Sequence, residues 1–558
     1  MTDYAKTGEP GAGELLFLPL GGTGEIGMNL NLYGHAGKWL MVDLGITFGD
    51  DLTPGVEVIT PDPTFIEERR EDLVGLVLTH AHEDHLGAVP YLWRRLRCPI
   101  YATPFTANFL RHKLAEADLL QEVPLHEVAL SGRFTVGPFD LELITLTHSI
   151  PEPNALVVRT PAGRALHTGD WKLDPDPVIG PTTDEAALIR AGEEGMDAMI
   201  CDSTNAMVEG TSGSEGDVYE NLSRLVGNCE QRVAVACFAS NVARLETIAK
   251  VGQAHGRDVA LVGRSLWRVY ASARASGYLV DLPPFVSEEH VGYLPRERTL
   301  IICTGSQGEP RAALPRIAGG GHPHVNLEAG DTVIFSSRKI PGNEQAIGRL
   351  QNQLVLRGIA VVAGDSAGVH VSGHPARDEL AQMYRWVRPR VAVPVHGEPR
   401  HLAAHAKLAL ECQVPRALTI ANGSVVRLAP GEATVIDQVF SGRLAVDGNR
   451  LITLDGPVLR QRRKMAWNGA MVVGVALDRK GRAVGEARIS APGVYDVDAD
   501  ADLADSIQDS VDSAVGNLSG AARQDDDAVT EAVRRAVRRV LRETCGKRPQ
   551  IDVHLFRI

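Results

Sequence analysis

The residues of this chain that could do chemistry are concentrated in one short stretch. His80, His82, Asp84 and His85 occur within the sequence THAHEDH, directly after the apolar segment Val74–Leu78. Packing is a poor explanation, because each buried imidazole would need its own hydrogen-bond partner. Imidazole and carboxylate groups suit borderline cations such as zinc. The stretch therefore predicts part of a metal centre, with a solvated polar loop as the alternative.

Further potential ligands follow other strand-like segments. His148, Asp170 and His396 each come shortly after an apolar segment typical of a buried strand. A single histidine after a strand is more often structural than metal-binding. Their joint placement, however, predicts that strand ends distant in sequence complete the metal centre.

The elements that must position these residues alternate between strands and helices. Short β segments over 14–78 and a helix over 104–119 predict a layered α/β domain. Over 210–364 the strand–helix alternation becomes regular, which predicts a second, inserted α/β unit. A strand pair is expected over 417–429, with its turn at Asn422-Gly423.

The glycines of Gly22–Gly27 fit the dinucleotide-binding pattern GxGxxG. That pattern needs a helix directly after the glycines, because the pyrophosphate lies at the N-terminus of that helix. Here the next residues, 28–33, alternate as a strand does. We therefore predict a tight turn between two strands rather than a nucleotide site.

Composition narrows the function classes. With 558 residues, a net charge of −13 and 5% aromatic residues, neither a uniformly basic nucleic-acid coat nor a surface of stacked aromatic rings is expected. Seven scattered cysteines without a CxxC pair predict reduced thiols. The start does not look like a secretory signal, and no apolar run reaches about 18 residues. These features predict a cytoplasmic protein without a membrane segment.

The pattern HxHxDH at 80–85, with Asp43, His148 and Asp170, resembles the metallo-β-lactamase superfamily. The resemblance implies an αββα sandwich that holds two divalent metal ions at one edge, most simply Zn²⁺, with Mn²⁺ or Mg²⁺ as alternatives. It implies that one ion binds His80, His82 and His148, and that the second binds Asp84, His85 and His396. Asp170 would bridge the ions, and Asp43 would orient a ligand from behind.

The stretch between Asp170 and His396 is long enough for a whole domain, as in the β-CASP nucleases. Asp202 in CDSTNA and His374 in HVSGH are similar to further motifs of that group. HVSGH (370–374) and four more motifs resemble the bacterial ribonuclease J family: GGTGEIGMN (21–29), FASNVAR (238–244), TGSQGEP (304–310) and SRKIPGN (337–343).

This resemblance implies a domain organisation. The expected parts are a metallo-β-lactamase domain over 1–210 and 367–450, a β-CASP domain over 211–366, a linker over 451–468 and a small C-terminal α+β domain over 469–558. The linker is inferred from a run of arginines and lysine near its middle. The C-terminal part resembles the family only in size and pattern.

The implied activity is that of a ribonuclease with 5′-to-3′ exonuclease and endonuclease action on single-stranded RNA, in rRNA processing, other RNA maturation and mRNA decay. A hydroxide activated by the two metals would attack phosphorus and give 5′-phosphate and 3′-hydroxyl products. Expected partners are RNA with a 5′-monophosphate, a second copy in a homodimer or homotetramer, and RNA-decay proteins.

Roles for individual residues follow from the same resemblance. His374 would protonate the leaving 3′-oxygen, Asp202 would orient it or a metal ligand, and Asp84 would act at the reacting centre. A pocket for the 5′-phosphate is expected from His370, Val371, Ser372, Gly373 and His374. The neighbouring nucleotides would contact Phe238, Ser240 and Asn241.

The implied ribonuclease activity has four alternatives. The long insertion and HVSGH argue against a lactamase or thioesterase, and a tRNA 3′-end nuclease would lack the inserted domain. The full set of ligand types argues against an inactive scaffold. A β-CASP nuclease that acts on DNA stays open.

Overall fold

A computed structural model describes residues 9–340, 342–363, 367–496 and 499–558. The chain forms two compact units, one made of the residues up to Thr47 with Thr60–Gly442, the other of Phe48–Ile59 with Arg443–Ile558. This division is coarser than the predicted domains, whose boundaries stay predictions. The boundary at 366 and Pro341 of the SRKIPGN motif lie outside the described residues.

The first part of the chain is rich in strands. These are β1 (Leu15–Gly21), β2 (Leu30–His35), β3 (Lys38–Val42), β4 (Thr47–Phe48), β5 (Val58–Pro61), β6 (Leu73–Val77), β7 (Ile100–Ala102), β8 (Leu125–Glu127), β9 (Arg133–Val136), β10 (Phe139–Thr145), β11 (Asn154–Thr160), β12 (Gly163–His167) and β13 (Ala198–Asp202). Its helices are α1 (Thr64–Glu67), α2 (Glu83–Leu86), α3 (Val89–Leu96), α4 (Pro104–Glu116) and α5 (Glu185–Glu194).

Strands and helices then alternate. The elements are α6 (Glu215–Gly227), β14 (Val233–Ala236), α7 (Val242–Ala254), β15 (Asp258–Val262), α8 (Arg264–Ala275), β16 (Val286–Ser287), β17 (Thr299–Cys303), α9 (Ala313–Ala318), β18 (Thr332–Phe335), α10 (Glu344–Leu356) and β19 (Ala360–Val362). After them come α11 (Arg377–Val387), β20 (Val391–Val395), α12 (Pro399–Glu411), β21 (Arg416–Ala417), β22 (Ser424–Ala429) and β23 (Thr434–Gln438).

The last part contains β24 (Arg443–Asp447), β25 (Arg450–Thr453), α13 (Pro457–Asn468), β26 (Ala470–Leu477), β27 (Arg488–Ser490), α14 (Ala501–Gly516), α15 (Asp526–Thr544) and β28 (Gln550–Arg557). In the second unit β26 pairs with β27 and, in parallel, with β28. Apolar residues of this sheet and of α14 and α15, among them Ile507, Val511, Val529 and Val533, form one buried cluster.

Two sheets face each other in the first unit. One has the order β23-β22-β1-β2-β3-β6-β7-β8, and the other the order β21-β20-β13-β12-β11-β10-β9. Their inner faces meet in a buried core that includes Phe17, Leu40, Leu143 and Ile200. Side chains of α5, α11 and α12 pack with the second sheet in a separate cluster, and α4 lies against β7 and β8. The predicted αββα sandwich is confirmed.

The inserted unit is a six-stranded sheet in the order β16-β15-β17-β14-β18-β19, and its paired strands are parallel. Helices α9 and α10 contribute Leu314, Ile317 and Leu350 to its buried core. A parallel sheet covered by helices exposes the loops after its strands at one edge. The regular alternation in the sequence predicted this unit.

Two local predictions have opposite outcomes. The glycines Gly22–Gly27 lie between the antiparallel strands β1 and β2, and no helix follows them, as predicted. The strand pair over 417–429 is wrong: β21 pairs with β20 in one sheet, whereas β22 pairs with β1 in the other. The Asn422-Gly423 turn therefore carries the chain from one layer to the next, since a turn signal does not specify which strands pair.

The segment 451–468 is not an extended linker. It holds the end of β25 and the helix α13, in which Leu459 is fully buried. Two of its basic residues make contacts within the protein: Arg462 pairs with Asp447 at 2.7 Å, and Arg463 donates to the backbone oxygen of Leu454. All seven cysteines are free, and none of the described helices combines the length and apolar character needed to cross a membrane.

Candidate metal centre

The candidate ligands lie where strands end. Strand β3 precedes Asp43, β6 leads into THAHEDH, β12 precedes Asp170, β13 ends at Asp202 and β20 precedes His396. Strands β3 and β6 are parallel, and so are β12, β13 and β20. The carboxyl ends of parallel strands meet at one edge of a sheet, which brings these side chains together.

The first ligand set consists of His80, His82 and His148. The Nδ1 atom of His82 lies 3.1 Å from Nε2 of His80 and 3.0 Å from Nε2 of His148. Burial, together with the neighbouring imidazoles, holds the pKa of His80 and His148 well below the usual range, and the pKa of His82 falls to about 4. Three neutral imidazoles thus direct nitrogen atoms at one point, an arrangement that fits a cation.

The second set consists of Asp84, His85, Asp170 and His396, whose ligand atoms all lie within 4.8 Å of one another. Nε2 of His85 is 3.1 Å from Asp170 Oδ2, and Nε2 of His396 is 3.1 Å from Asp84 Oδ2. Asp170 Oδ1 is buried without a hydrogen-bond partner. A buried carboxylate oxygen of this kind fits a divalent cation.

Charge supports the same conclusion. Burial favours the neutral form of His85 and His396, but the surrounding carboxylates outweigh it and raise the pKa of both groups well above the usual value. Asp170 also acts on His82 and His148 in the first set: its charge partly opposes the lowering of their pKa by burial. Asp170 therefore acts on both sets, and the carboxylates of the second set favour positive charge at this place.

Asp43 orients His85 directly and His80 through Thr79. Its buried carboxylate accepts hydrogen bonds from His85 Nδ1 at 2.7 Å and from the Thr79 hydroxyl at 2.8 Å. Because the Thr79 hydroxyl donates to Asp43, it can accept from His80 Nδ1, 3.0 Å away. Both histidines thereby keep Nε2 free for the metal side.

Two more histidines are oriented through Nδ1. His148 Nδ1 donates to the Gly373 carbonyl oxygen. The Thr204 hydroxyl donates to Asp202 Oδ1 at 2.8 Å and lies 2.9 Å from Nδ1 of His396, from which it accepts. The Nε2 atoms of His148 and His396 consequently face the two ligand sets.

His374 lies beside the second set. Its Nδ1 is 2.8 Å from Asp202 Oδ2, and its ring stacks on that of His396 at a centroid distance of 5.6 Å. Burial opposes protonation of His374, but Asp202 outweighs it and raises the pKa above the usual value. Since 22% of the side chain is exposed, a protonated imidazole here can reach a bound molecule.

The HVSGH segment contains an unusual histidine. Both ring nitrogens of His370 are buried and have no hydrogen-bond partner. Burial lowers the pKa of His370 to about 3, with further contributions from the positive charges of Arg244, Arg338 and Lys172. Arg244 and Lys172 are paired with Glu215 and Asp174, so Arg338 is the cation here whose charge is open to an anion.

The neighbouring residues Val371 and Ser372 are half-buried. The Ser372 hydroxyl oxygen accepts from Asn205 Nδ2 at 2.7 Å and from the backbone N–H of His374, which leaves its own proton available. Arg338 donates to Asn205 Oδ1 and forms no ion pair within the described residues. An unpaired guanidinium beside a free hydroxyl strengthens the case for an anion pocket.

The inserted unit holds this segment in place. The buried Arg244 pairs with Glu215 at 3.0 Å and donates to the backbone oxygens of Ser336 and Val369. The carbonyl of Val369 directly precedes HVSGH in the chain. One buried guanidinium therefore joins the inserted sheet to the HVSGH segment.

The residues predicted to contact nucleotides differ in their exposure and in their hydrogen bonds within the protein. Phe238 and Ser240 are half-buried after β14. Asn241 is 5% exposed, and its side chain accepts from the N–H of Arg244 at the start of α7 and donates to Glu215. Its polar atoms are used within the protein, so the predicted contact is better supplied by Phe238 and Ser240.

Sequence reasoning missed four residues that the structure places around the centre: Thr79, Thr204, Arg244 and Arg338. All four occur in the motifs singled out above. Thr79 directly precedes His80, and Thr204 follows Asp202 by two positions, which was the available signal for these two residues. Arg244 and Arg338 bond to groups distant in sequence, which is why no role could be given to them.

An αββα sandwich with two adjoining His/Asp sets at one edge and an inserted parallel sheet defines a metallo-β-lactamase hydrolase with a β-CASP insertion. Family models match it along its length: "Metallo-beta-lactamase superfamily" (27–190), "Ribonuclease J, beta-CASP domain" (230–354), "Zn-dependent metallo-hydrolase RNA specificity domain" (358–415) and "Ribonuclease J C-terminal domain" (457–558). Ribonuclease J of Sinorhizobium meliloti is 45% identical over 550 residues, 98% of each chain. The chain belongs to the ribonuclease J family of hydrolytic nucleases.

Other relatives agree. Ribonuclease J of Mycolicibacterium smegmatis is 41% identical over 86% of this chain and 87% of its own, and that of Thermus thermophilus is 37% identical over 82% and 81%. A solved protein of unknown function from Enterococcus faecalis has a TM-score of 0.53 at 16% identity, over 76% of this chain and 100% of that one. That likeness shows the fold alone. The family resemblance predicted from the motifs is confirmed.

Thr204 gives the first prediction. Thr204→Val removes the acceptor for His396 Nδ1, so we expect the second divalent ion to bind about 10- to 100-fold more weakly. Isothermal titration of the metal-free protein with Zn²⁺, and separately with Mn²⁺, measures this. Thr247→Val is the control, because Thr247 is buried and its hydroxyl has no partner. Equal affinities in the two variants would refute the role of Thr204.

Proposed function

We propose that this protein is a metal-dependent ribonuclease that degrades single-stranded RNA from the 5′ end and also cuts internally, in RNA maturation and mRNA decay. The observation that carries the proposal is the hydrogen bond from His148 to Gly373, which joins a metal set to a segment suited to a terminal phosphate. The expected products carry 5′-phosphate and 3′-hydroxyl groups.

The two ligand sets would hold two divalent ions. His80, His82 and His148 offer three nitrogens, which favours Zn²⁺, while the carboxylates of the second set also suit Mn²⁺ or Mg²⁺. Such ions activate water and neutralise charge on a phosphodiester. Asp170, which acts on both sets, is the proposed bridge, and Asp84, whose side chain is 30% exposed, faces the substrate side of the second set.

His374 is the proposed general acid. Asp202 accepts from its Nδ1, so Nε2 is the atom that can donate a proton to the leaving 3′-oxygen. The raised pKa of His374 keeps that proton in place near neutral pH. Asp202 thus sets both the direction and the charge of the ring.

A terminal 5′-monophosphate would bind at HVSGH. Ser372 has an available hydroxyl proton, and within the described part of the chain Arg338 forms no ion pair and the buried nitrogens of His370 have no partner. Gly373 permits the close approach, because a Cβ there would lie 2.8 Å from Cε1 of His148. Phe238 and Ser240 would contact the first nucleotides. Exonuclease action from the 5′ end follows from such a pocket.

The family resemblance supports further proposals. They are a homodimer or homotetramer, RNA-decay partner proteins and a cytoplasmic location. Preference for RNA over DNA or a lactam distinguishes the proposed function from its alternatives.

A substrate panel tests the function. We expect cleavage of 5′-labelled single-stranded RNA, no cleavage of a chromogenic lactam, and loss of activity in a chelator with recovery on addition of Zn²⁺ or Mn²⁺. Single-stranded DNA of the same sequence is the matched comparison. Faster cleavage of DNA than of RNA, or full activity in the chelator, would contradict the proposal.

His374→Ala tests the acid. The variant should cleave RNA about 10²- to 10⁴-fold more slowly, because the leaving oxygen lacks its proton donor. Metal content, measured by mass spectrometry, should equal that of the wild type. His255→Ala, at an exposed histidine of the inserted unit, is the control. Near-normal cleavage by His374→Ala with both metals bound would exclude His374 as the acid.

Ser372→Ala tests the end pocket. The wild type should prefer 5′-monophosphate over 5′-triphosphate RNA, and the variant should lose about 10- to 100-fold of that preference with the loss of a charge-assisted hydrogen bond. Internal cleavage of circular RNA should be unchanged, and Ser506→Ala, on the exposed face of α14, is the control. Equal wild-type rates on both RNA ends would refute the pocket.

A further inference from the structure

A separate cavity opens at the edge of the inserted sheet. Its volume is about 700 Å³, and it lies where β15 and β17 end, at Gly263 and Thr304. Ligands of parallel α/β sheets bind in crevices at the carboxyl ends of the strands. None of the metal ligands or HVSGH residues lines this cavity.

The cavity is rich in arginine. Arg264, Arg268, Arg311 and Arg316 line it, against three glutamates, in a chain whose net charge is −13. Arg268 pairs with Glu116 at 2.8 Å. Arg264 and Arg316 are exposed and form no ion pair or side-chain hydrogen bond with any described residue. Two guanidinium groups without partners are suited to phosphate.

The backbone supports the same chemistry. Helix α8 has 12 residues and begins at the cavity, and its first turn receives no hydrogen bond from a capping side chain. Gly263 precedes it with φ of +129°, and a Cβ there would lie 2.7 Å from the Thr304 hydroxyl. The free N–H groups of this first turn add to the attraction that the arginines exert on an anion.

One loop links the cavity to the surroundings of the HVSGH segment. The loop after β17 forms one wall, and in the same loop Gln307 donates to the backbone oxygen of Arg338 at 2.8 Å. In the sheet, β18 and β14 lie on the HVSGH side, followed by β17 and β15. Two strand spacings, about 10 Å, separate the ends of β14 and β15. An RNA strand whose 5′ end lies at HVSGH and which follows this edge of the inserted sheet is directed toward the cavity.

We propose that this cavity binds the sugar–phosphate backbone of RNA on the 3′ side of the cleaved bond, through Arg264, Arg316 and the start of α8. This inference rests on the proposed function and adds a second contact region to it. Among the described residues that line the cavity, His322 alone has a ring, and the arginines would contact phosphate, so the contact is independent of sequence. A free nucleotide shares the same phosphate chemistry and is the alternative ligand.

The experiment compares Arg264→Gln/Arg316→Gln with wild type on two 5′-monophosphorylated RNAs, a dinucleotide and a 20-mer. We expect KM for the 20-mer to rise about tenfold, and the slope of log K against log salt to fall by about 1.4, the value for two lost contacts to a single strand. Both kinetic constants for the dinucleotide should stay unchanged, since it is too short to reach the cavity. Arg298→Gln/Arg349→Gln, elsewhere on the inserted unit, is the control.

Two results would overturn the proposal. One is an unchanged KM and salt slope on the 20-mer in the cavity variant. The other is saturable binding of AMP that the variant loses while its RNA constants stay normal, which would assign the cavity to a free nucleotide. Binding of the 20-mer is also measured by fluorescence anisotropy, without cleavage. A wild type that binds RNA with the expected salt slope but does not cleave it would refute the proposed function and leave the cavity assignment standing.

Discussion

Mutual repulsion among closely spaced carboxylates is the constraint on which the rest of the structure depends. Asp84, Asp170 and Asp202 lie close together at one edge of the sandwich, and the pKa of each is held below its usual value by the surrounding histidines. Such a cluster is stable only where positive charge compensates it. The strand order, the tautomers of the histidines and the inserted unit all serve to place that charge.

Orientation of the imidazoles is the second requirement. Four histidines direct Nδ1 toward an acceptor in the protein: Asp43, Thr79, Thr204 or the carbonyl of Gly373. A ring fixed in this way presents Nε2 without a further loss of rotational freedom when a ligand binds. The acceptors come from segments before and after the inserted unit, so folding of the whole first unit completes the centre.

Much of this could be predicted from the sequence. Strand periodicity and the rule that functional residues follow strand ends were enough to bring His148, Asp170 and His396 to the THAHEDH segment, and the regular alternation predicted the inserted sheet. These signals are local or depend on strand order alone. The motifs then identified the family, because each motif combines a strand end with the loop that follows it.

What could not be predicted depends on partners distant in sequence. The bond between Thr204 and His396 spans the whole insertion, and Asn241 could be seen to cap α7 only once the start of that helix was fixed. The crossover at Asn422-Gly423 failed for the same reason, since a turn fixes the backbone locally while sheet pairing is decided by the whole core. No pattern in the sequence indicated that residues 48–59 belong to the second unit.

The contact between Gly373 and His148 has a consequence for the size of what is released. The Gly373 carbonyl oxygen accepts the Nδ1 proton of His148, and a Cβ at Gly373 would lie 2.8 Å from that ring, so this loop and the imidazole hold one another in place. Under the proposed function, the distance between a 5′-phosphate bound at that loop and a phosphodiester bound at the metals would therefore be constant. Such an arrangement is a molecular ruler: a chain read from its end would be shortened by the same increment at every turnover.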